Sequence, residues 1–535
     1  MRSYGHDHLS SRPGHRAARR PLRHRPRPAA RPGRRAALAA APAPGGRAPP
    51  PGHVLRSRTI DLDLADYRWL CTDQPFGTPR RHTFRPFADT SLEVVESGVE
   101  RDPAGGAVKW SGEVVTVDGH PVEPGVHRRV VLSTTGVCDP GATPDTVGVD
   151  ALFDLGATAY RIAQPRNEPG RLLITEEDPD LHVKPPQDDA DPQYENPDPA
   201  VIAEARRQLT HRAASAGPVV IDMVVGYTPR AEWGMGGEEA MLARIAFAET
   251  SINHAFADSN VKASVDIVAT YKANYYAPAD QETAPVVHGL LSNPREPRLG
   301  APAAALREQY GADLVSLMIE VPNGTSSGQG NLPQPPSEKT DDQAYSVVDY
   351  RTVALWYNFG HEVGHNLGLW HDRATLDEQT GGADYRPYLT TPYSTGYVTP
   401  DRRFHTLMAY SSACGGPCTA VNQYSNTENT WDGQPLGDAY NNNAAVARLT
   451  TPIVAGYRAP AQLRLRHALT LGEGLRPDTW GPYRPGTSIK VTATPPRGYR
   501  IAAWELDGRR YAITANQVNV TMDQAHDLKA VFVRI

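Results

Sequence analysis

The 535-residue chain has 55 Lys and Arg against 60 Asp and Glu, a formal charge of −5, and 39% hydrophobic residues. At about 100–200 residues per domain it makes several domains with sizeable cores. Fourteen arginines and one acid fall in residues 1–58, so the remainder carries 41 basic and 59 acidic side chains, a balance that argues against nucleic acid as a main partner. No run approaches the ~20 apolar residues of a membrane-spanning helix.

Residues 1–58 read as an Arg/Pro-rich tail, too poor in large apolar residues to offset its ordering entropy. Its one signal-like run, Ala36–Ala43, is a weak h-region, so no signal peptide is clearly recognisable. Residues 59–175 are β-rich, with short runs such as Ser91–Val95, Val114–Val117 and Arg129–Leu132 between Gly, Pro and Asp turns. Residues 176–217 form a Pro- and Asp-rich linker followed by a short polar helix from Ala200 to Ser215.

From residue 218 the pattern changes. Val219–Thr228 reads as a buried strand, and Glu238–Phe256 as a helix with Leu242, Ile245, Ile252 and Phe256 on one stripe. A strand over Val265–Tyr271, a helix over Ala303–Tyr310 closed by Gly311, and a strand over Leu314–Ile319 complete an α/β alternation. A polar loop (Pro322–Asp342), a strand (Tyr345–Val348) and a helix (Thr352–Leu367) follow. Residues 461–535 are again all-β, with strands at Ile489–Ala493, Val518–Val520 and Leu528–Val533.

The chemistry lies in His361-Glu-Val-Gly-His-Asn-Leu-Gly-Leu-Trp-His-Asp372. Residues i and i+4 share a helix face, so His361 and His365 can direct their rings at one ion. Glu362 sits beside the first ligand, where it reaches toward a water at the metal as general base. Gly368 supplies a left-handed exit that returns the chain with His371 as third ligand. Three His leave one position open, the arrangement of a catalytic rather than a structural Zn²⁺.

Among the cysteines, Cys414 and Cys418 are spaced C-x-x-x-C with no second pair or nearby His to complete a zinc site, which favours a disulfide in an exported protein.

The zinc motif resembles that of the metzincins, and Met408 in Thr406-Leu-Met-Ala-Tyr410 fits their Met-turn. Asp372 resembles the reprolysin branch, where that residue supports the site. From Phe87 to Arg458 the order of segments is similar to bacterial peptidyl-Asp metalloendopeptidases, through Val108–Val114, Ile221–Ala231, Tyr310–Glu320, Tyr345–Asp349 and Tyr424–Asn426. The resemblance implies an α/β (α+β) metzincin catalytic domain over 218–460, a β-rich pro-domain over 59–175 and cleavage in the linker. It implies a secreted zinc endopeptidase made as a zymogen, with protein or peptide substrates. Tyr410 then either stabilises an oxyanion or is a buried structural residue. Cys138 either ligates zinc in the latent form or pairs with Cys71.

Relatives have a cysteine-flanked edge strand that receives substrate. Here that region, Ser326–Asp342, has no Cys and is rich in Pro. Residues 461–535 resemble the internalin B-repeat type through Tyr483–Gly508 and Val518–Phe532, implying a small β module for cell-surface or polymer contact. The alternative to a peptidase is a non-catalytic, metal-stabilised adhesion protein.

Overall fold

The computed structural model describes residues 53–535, apart from 103–105, 123–127, 182–198, 213–216, 279, 324 and 462–463. Most of the expected tail and the middle of the expected linker lie outside these residues. The first described strand is β1 (Val54–Asp61), so the expected tail limit at residue 58 is corrected. Val54–Arg58 pairs along β9 because an end strand needs only backbone partners, while Arg56 is anchored by Asp89 and Glu176.

The N-terminal region continues with β2 (Arg81–Phe84), β3 (Leu92–Arg101), β4 (Val108–Val117), β5 (His120–Pro121), β6 (Arg129–Thr135), β7 (Gly148–Asp154), β8 (Ala159–Ala163) and β9 (Arg171–Glu177). These strands meander in the order β1-β9-β8-β7-β6-β4-β3. Side chains alternate between the faces of a strand. Val130, Leu132, Ala151 and Phe153 therefore enter the region's own core with Trp110, whereas Val131 and Leu152 enter the core of the next region. That two-sided burial explains the consecutive apolar triplets Val130–Leu132 of β6 and Ala151–Phe153 of β7.

Helix α1 (Pro199–Arg212) leads into β10 (Val219–Tyr227), α2 (Pro229–Met235), α3 (Glu238–Asp258), β11 (Ala263–Lys272), α4 (Ala284–Leu291), α5 (Gly300–Tyr310), β12 (Leu314–Ile319), β13 (Gly328–Gly330) and β14 (Tyr345–Asp349). The sheet order is β11-β10-β12-β14-β13; every pairing is parallel except the antiparallel end strand β13. The expected polar loop thus contains an edge strand, too short and Gly-rich to show in a hydrophobic pattern.

Helix α3 is buried on more than one side. Ile245, Ala248 and Ile252 enter the core that includes β10 and β11, while Arg244 and Glu249 meet Asp150 of β7 and Lys109 of β4. The buried Lys109 ammonium lies 2.6 Å from Glu249 and 2.5 Å from Glu100.

The motif helix α6 spans Asn358–Asn366, shorter than the expected Thr352–Leu367. Tyr357 takes a left-handed conformation (φ 54°) and its hydroxyl donates to Asp154 at 2.6 Å, so the chain before it cannot continue the helix. Then come α7 (Arg373–Gln379), the two-residue strands β15 (Phe404–His405), β16 (Thr419–Ala420), β17 (Thr430–Trp431) and β18 (Gln434–Pro435), and α8 (Asn443–Val454).

The C-terminal region holds β19 (Leu469–Leu471), β20 (Leu475–Pro477), β21 (Ser488–Ala493), β22 (Tyr499–Leu506), β23 (Arg509–Tyr511), β24 (Gln517–Thr521) and β25 (His526–Arg534). Its own core gathers Val491, Trp504, Val518, Val520 and Leu528. Strand β21 also pairs with β3, joining this region to the N-terminal sheet.

Candidate metal centre

The expected ligands converge. His371 Nε2 lies 3.3 Å from His361 Nε2 and 3.0 Å from His365 Nε2, close to the roughly 3.4 Å edge of a tetrahedron with ~2.1 Å metal–nitrogen bonds. The opposite nitrogens are tethered: His361 Nδ1 to Leu407 O (2.7 Å), His365 Nδ1 to Leu369 O (3.0 Å) and His371 Nδ1 to Gln379 Oε1 (3.0 Å). Oxygens of this kind only accept, so each Nδ1 carries the proton and each Nε2 presents its lone pair inward. This donor set fits a zinc ion. Among the described residues no fourth His, Cys or carboxylate joins the trio.

The return turn follows from its residues. Gly368 has φ +77°, and a Cβ there would lie 2.6 Å from Pro336. His371 then arrives, and Asp372 caps α7 by accepting the N–H of Thr375 at 3.0 Å and its hydroxyl at 2.6 Å. The same carboxylate accepts the backbone N–H of Tyr410 at 3.0 Å, fastening the turn of Met408 to the third histidine. Met408 lies under α6, with its sulfur 2.5 Å from where a Cβ on Gly364 would stand. The Tyr410 ring packs 4.5 Å from the His371 ring. Burial pushes the Tyr424 phenol far up, keeping it protonated to donate to Gly360 O at 2.8 Å.

Glu362 is fully buried beneath β13. A Cβ on Gly328 would stand 2.2 Å from its Oε1, and one on Gly330 would stand 2.6 Å from its backbone oxygen. Only glycine allows this approach. Asn366 ties helix and strand together, donating to Asn331 O (3.0 Å) and Tyr345 O (3.1 Å). At the far end of β14, burial raises the Asp349 carboxyl despite the adjacent Arg351.

Gln379, Asn366, Gly328 and Gly330 were absent from the expected site. The Gly-Gln-Gly spacing is a readable signal, since period two puts both glycines on one strand face. Gln379 had none, because its role depends on how α7 folds back.

Cys138 is corrected. It is bonded to Cys71, so its sulfur is not available to a metal, and the alternative pairing holds. Cys414 and Cys418 are joined as expected. A cavity of about 710 Å³ opens between β8–β9 and the chain entering β13; Arg161, Arg166, Arg244, Ser327 and Trp356 line it, but none of the three histidines does.

Residues 217–441 match the reprolysin-like model of metallopeptidase family M12B, and residues 477–535 match the divergent InlB B-repeat domain. A Stenotrophomonas maltophilia protein named peptidyl-Asp metalloendopeptidase is 25% identical over 69% of this chain and 81% of its own length. Proteins of the same name from Xanthomonas campestris and Pseudomonas aeruginosa are 26% and 32% identical, over 47% and 38% of this chain. The chain spans only 55% and 34% of those two relatives. It carries, then, a reprolysin-like metallopeptidase domain of family M12B followed by a divergent InlB B-repeat domain.

Proposed function

We propose that the chain is a secreted zinc endopeptidase, made as a zymogen, whose general base is Glu362. The observation that carries this reading is the trio of inward-facing Nε2 atoms, each with its Nδ1 held by an oxygen, beside a buried carboxylate under an edge strand. Zinc, when bound by His361, His365 and His371, supplies Lewis acidity that lowers the pKa of water toward ~7 and polarises the scissile carbonyl. Glu362 takes a proton from the attacking water and hands it to the leaving amine. Tyr410 packs on His371 and Asp372 holds the turn beneath it, so both keep the third ligand in place. Strand β13 lies at the end of the sheet, where an extended peptide adds as a further strand over Glu362.

The relatives' name speaks of Asp, and cleavage beside Asp is the preference proposed for this chain. The N-terminal region is its pro-domain. It rests along α3 and reaches the motif helix through Asp154 and Tyr357.

Glu362→Gln tests the reading. The variant retains zinc by elemental analysis and loses at least a thousandfold in casein cleavage. Full activity in a zinc-loaded Glu362→Gln protein would overturn the assignment. Sequencing the peptides released from a proteome digest reads the preference.

A further inference from the structure

The C-terminal region makes two sets of contacts that a passive appendage does not need. The first is backbone pairing. Ser488 and Ile489 of β21 pair with Val99 and Gly98 of β3, on the stretch of that strand beyond its partner β2. Asn519, next door on β24, exchanges two backbone hydrogen bonds with Gly77 (3.3 and 2.8 Å), and the Thr521 hydroxyl donates to Gln74 O. Tyr511 packs on Phe76 with ring centres 4.5 Å apart.

The second set is ionic and largely buried. Arg466 reaches Asp222 (2.5 Å) and Asp266 of the catalytic sheet. Arg484 bonds the same Asp266 and lies 3.4 Å from Asp102 and 3.8 Å from Glu100 of the N-terminal sheet. The two guanidiniums outweigh the effect of burial and hold Asp266 down at about 2. Lys490, 3% exposed, donates to Ser97 at 3.0 Å and faces Glu113 and Asp478 at 3.5 and 3.3 Å. One side chain, Arg484, thus touches all three regions.

We propose that the C-terminal module is an intramolecular clamp for the N-terminal domain. Its docking surface is the β3 edge together with the Glu100/Asp102 pair, and its partner is β21 with Arg484. Scission of the chain between residues 182 and 198 then yields a two-fragment complex rather than a released pro-piece. The N-terminal fragment leaves only when the module is unseated. This holds whichever protease cuts and does not rest on the peptidase reading.

The test inserts a site-specific protease sequence within 182–198 of the full chain. After cutting, both fragments are expected to co-elute on size exclusion at micromolar concentration. Combining Gly98→Val, whose Cβ would stand 2.9 Å from Ser488 O, with Arg484→Gln is expected to weaken retention at least tenfold. Separation of the parent fragments, or equal retention in the double variant, would overturn the clamp. Hydrogen exchange on the cut parent gives a readout that does not depend on a variant folding. Those amides of 97–100 and 487–490 that point across the β3–β21 seam, rather than toward β4 or β24, stay protected if the clamp holds. Exchange there at loop rates, with both sheets otherwise protected, sinks the proposal.

Discussion

Gln379 accepts the Nδ1 proton of His371 at 3.0 Å, from the last residue of a helix that Asp372 itself initiates. The third ligand is therefore oriented by the segment that immediately follows it. Outer hydrogen bonds of this kind are worth roughly 10–100-fold in metal affinity. Gln379→Leu is expected to weaken zinc binding by that factor, read by competition with a chromophoric chelator. Gln379→Glu, which keeps an acceptor, should retain most of it.

Gly328 and Glu362 are in contact by necessity rather than by attraction. Gly328→Ala puts a methyl group 2.2 Å from Oε1 and must displace either the strand or the carboxylate. A misplacement of about 1 Å costs on the order of 100-fold in rate. The expected outcome is that loss in kcat/KM, with zinc content and far-ultraviolet dichroism unchanged.

Gly364→Ala tests the packing beneath the metal. Its Cβ would meet the Met408 sulfur at 2.5 Å and a Tyr424 ring carbon at 3.2 Å. Overpacking of a filled core costs about 1–3 kcal/mol, so the urea midpoint should fall accordingly. Combining it with Met408→Ala should recover part of the loss.

His254 is buried on α3, facing Arg129 of β6 and near Asp258, Asp478 and Lys490. Burial, reinforced by Arg129, holds its pKa well below 6.5. The unfolded chain then binds more protons than the folded one below pH 6.5. Stability is whole above that pH and is lost as pH falls, by at most about 1.4 kcal/mol per unit. Asp313 works in the opposite direction. Burial lifts its carboxyl to about 7, so its contribution is lost as pH rises from about 4 to 7. The parent should lose more stability between pH 7.5 and 5.5 than His254→Gln does, measured by urea unfolding.

The Cys71–Cys138 bond spans 67 residues of the N-terminal region. Loop entropy alone assigns it about 4 kcal/mol. Thiol titration in denaturant without reductant should find no reactive cysteine. Paired Cys71→Ser and Cys138→Ser should lower the unfolding midpoint without altering zinc content.

The histidine trio was legible because its geometry is local: eleven residues, one helix and one glycine turn contain it. The strand–helix alternation from β10 to β12 was legible for the same reason, with boundaries at Val219 and Ile319 close to those of the folded chain. What escaped is set by distant partners. Tyr357 breaks the expected helix because it meets Asp154, far away in sequence, and β13 exists only because β14 is beside it. Nothing in the sequence around Arg484 and Lys490 marks either side chain as one that reaches another region. Their partners at Glu100 and Ser97 lie outside any window a periodicity can span.

The bond between Lys490 and Ser97 joins residues 393 positions apart. Until residues 488 and 489 have been made, the edge of β3 that faces them has no mate on that side. Closure over such a distance is entropically slow. The nascent N-terminal sheet must therefore wait with an open rim, and an open rim can recruit strands from other copies. The arrival of β21 thus decides when that rim stops being hazardous to the N-terminal sheet.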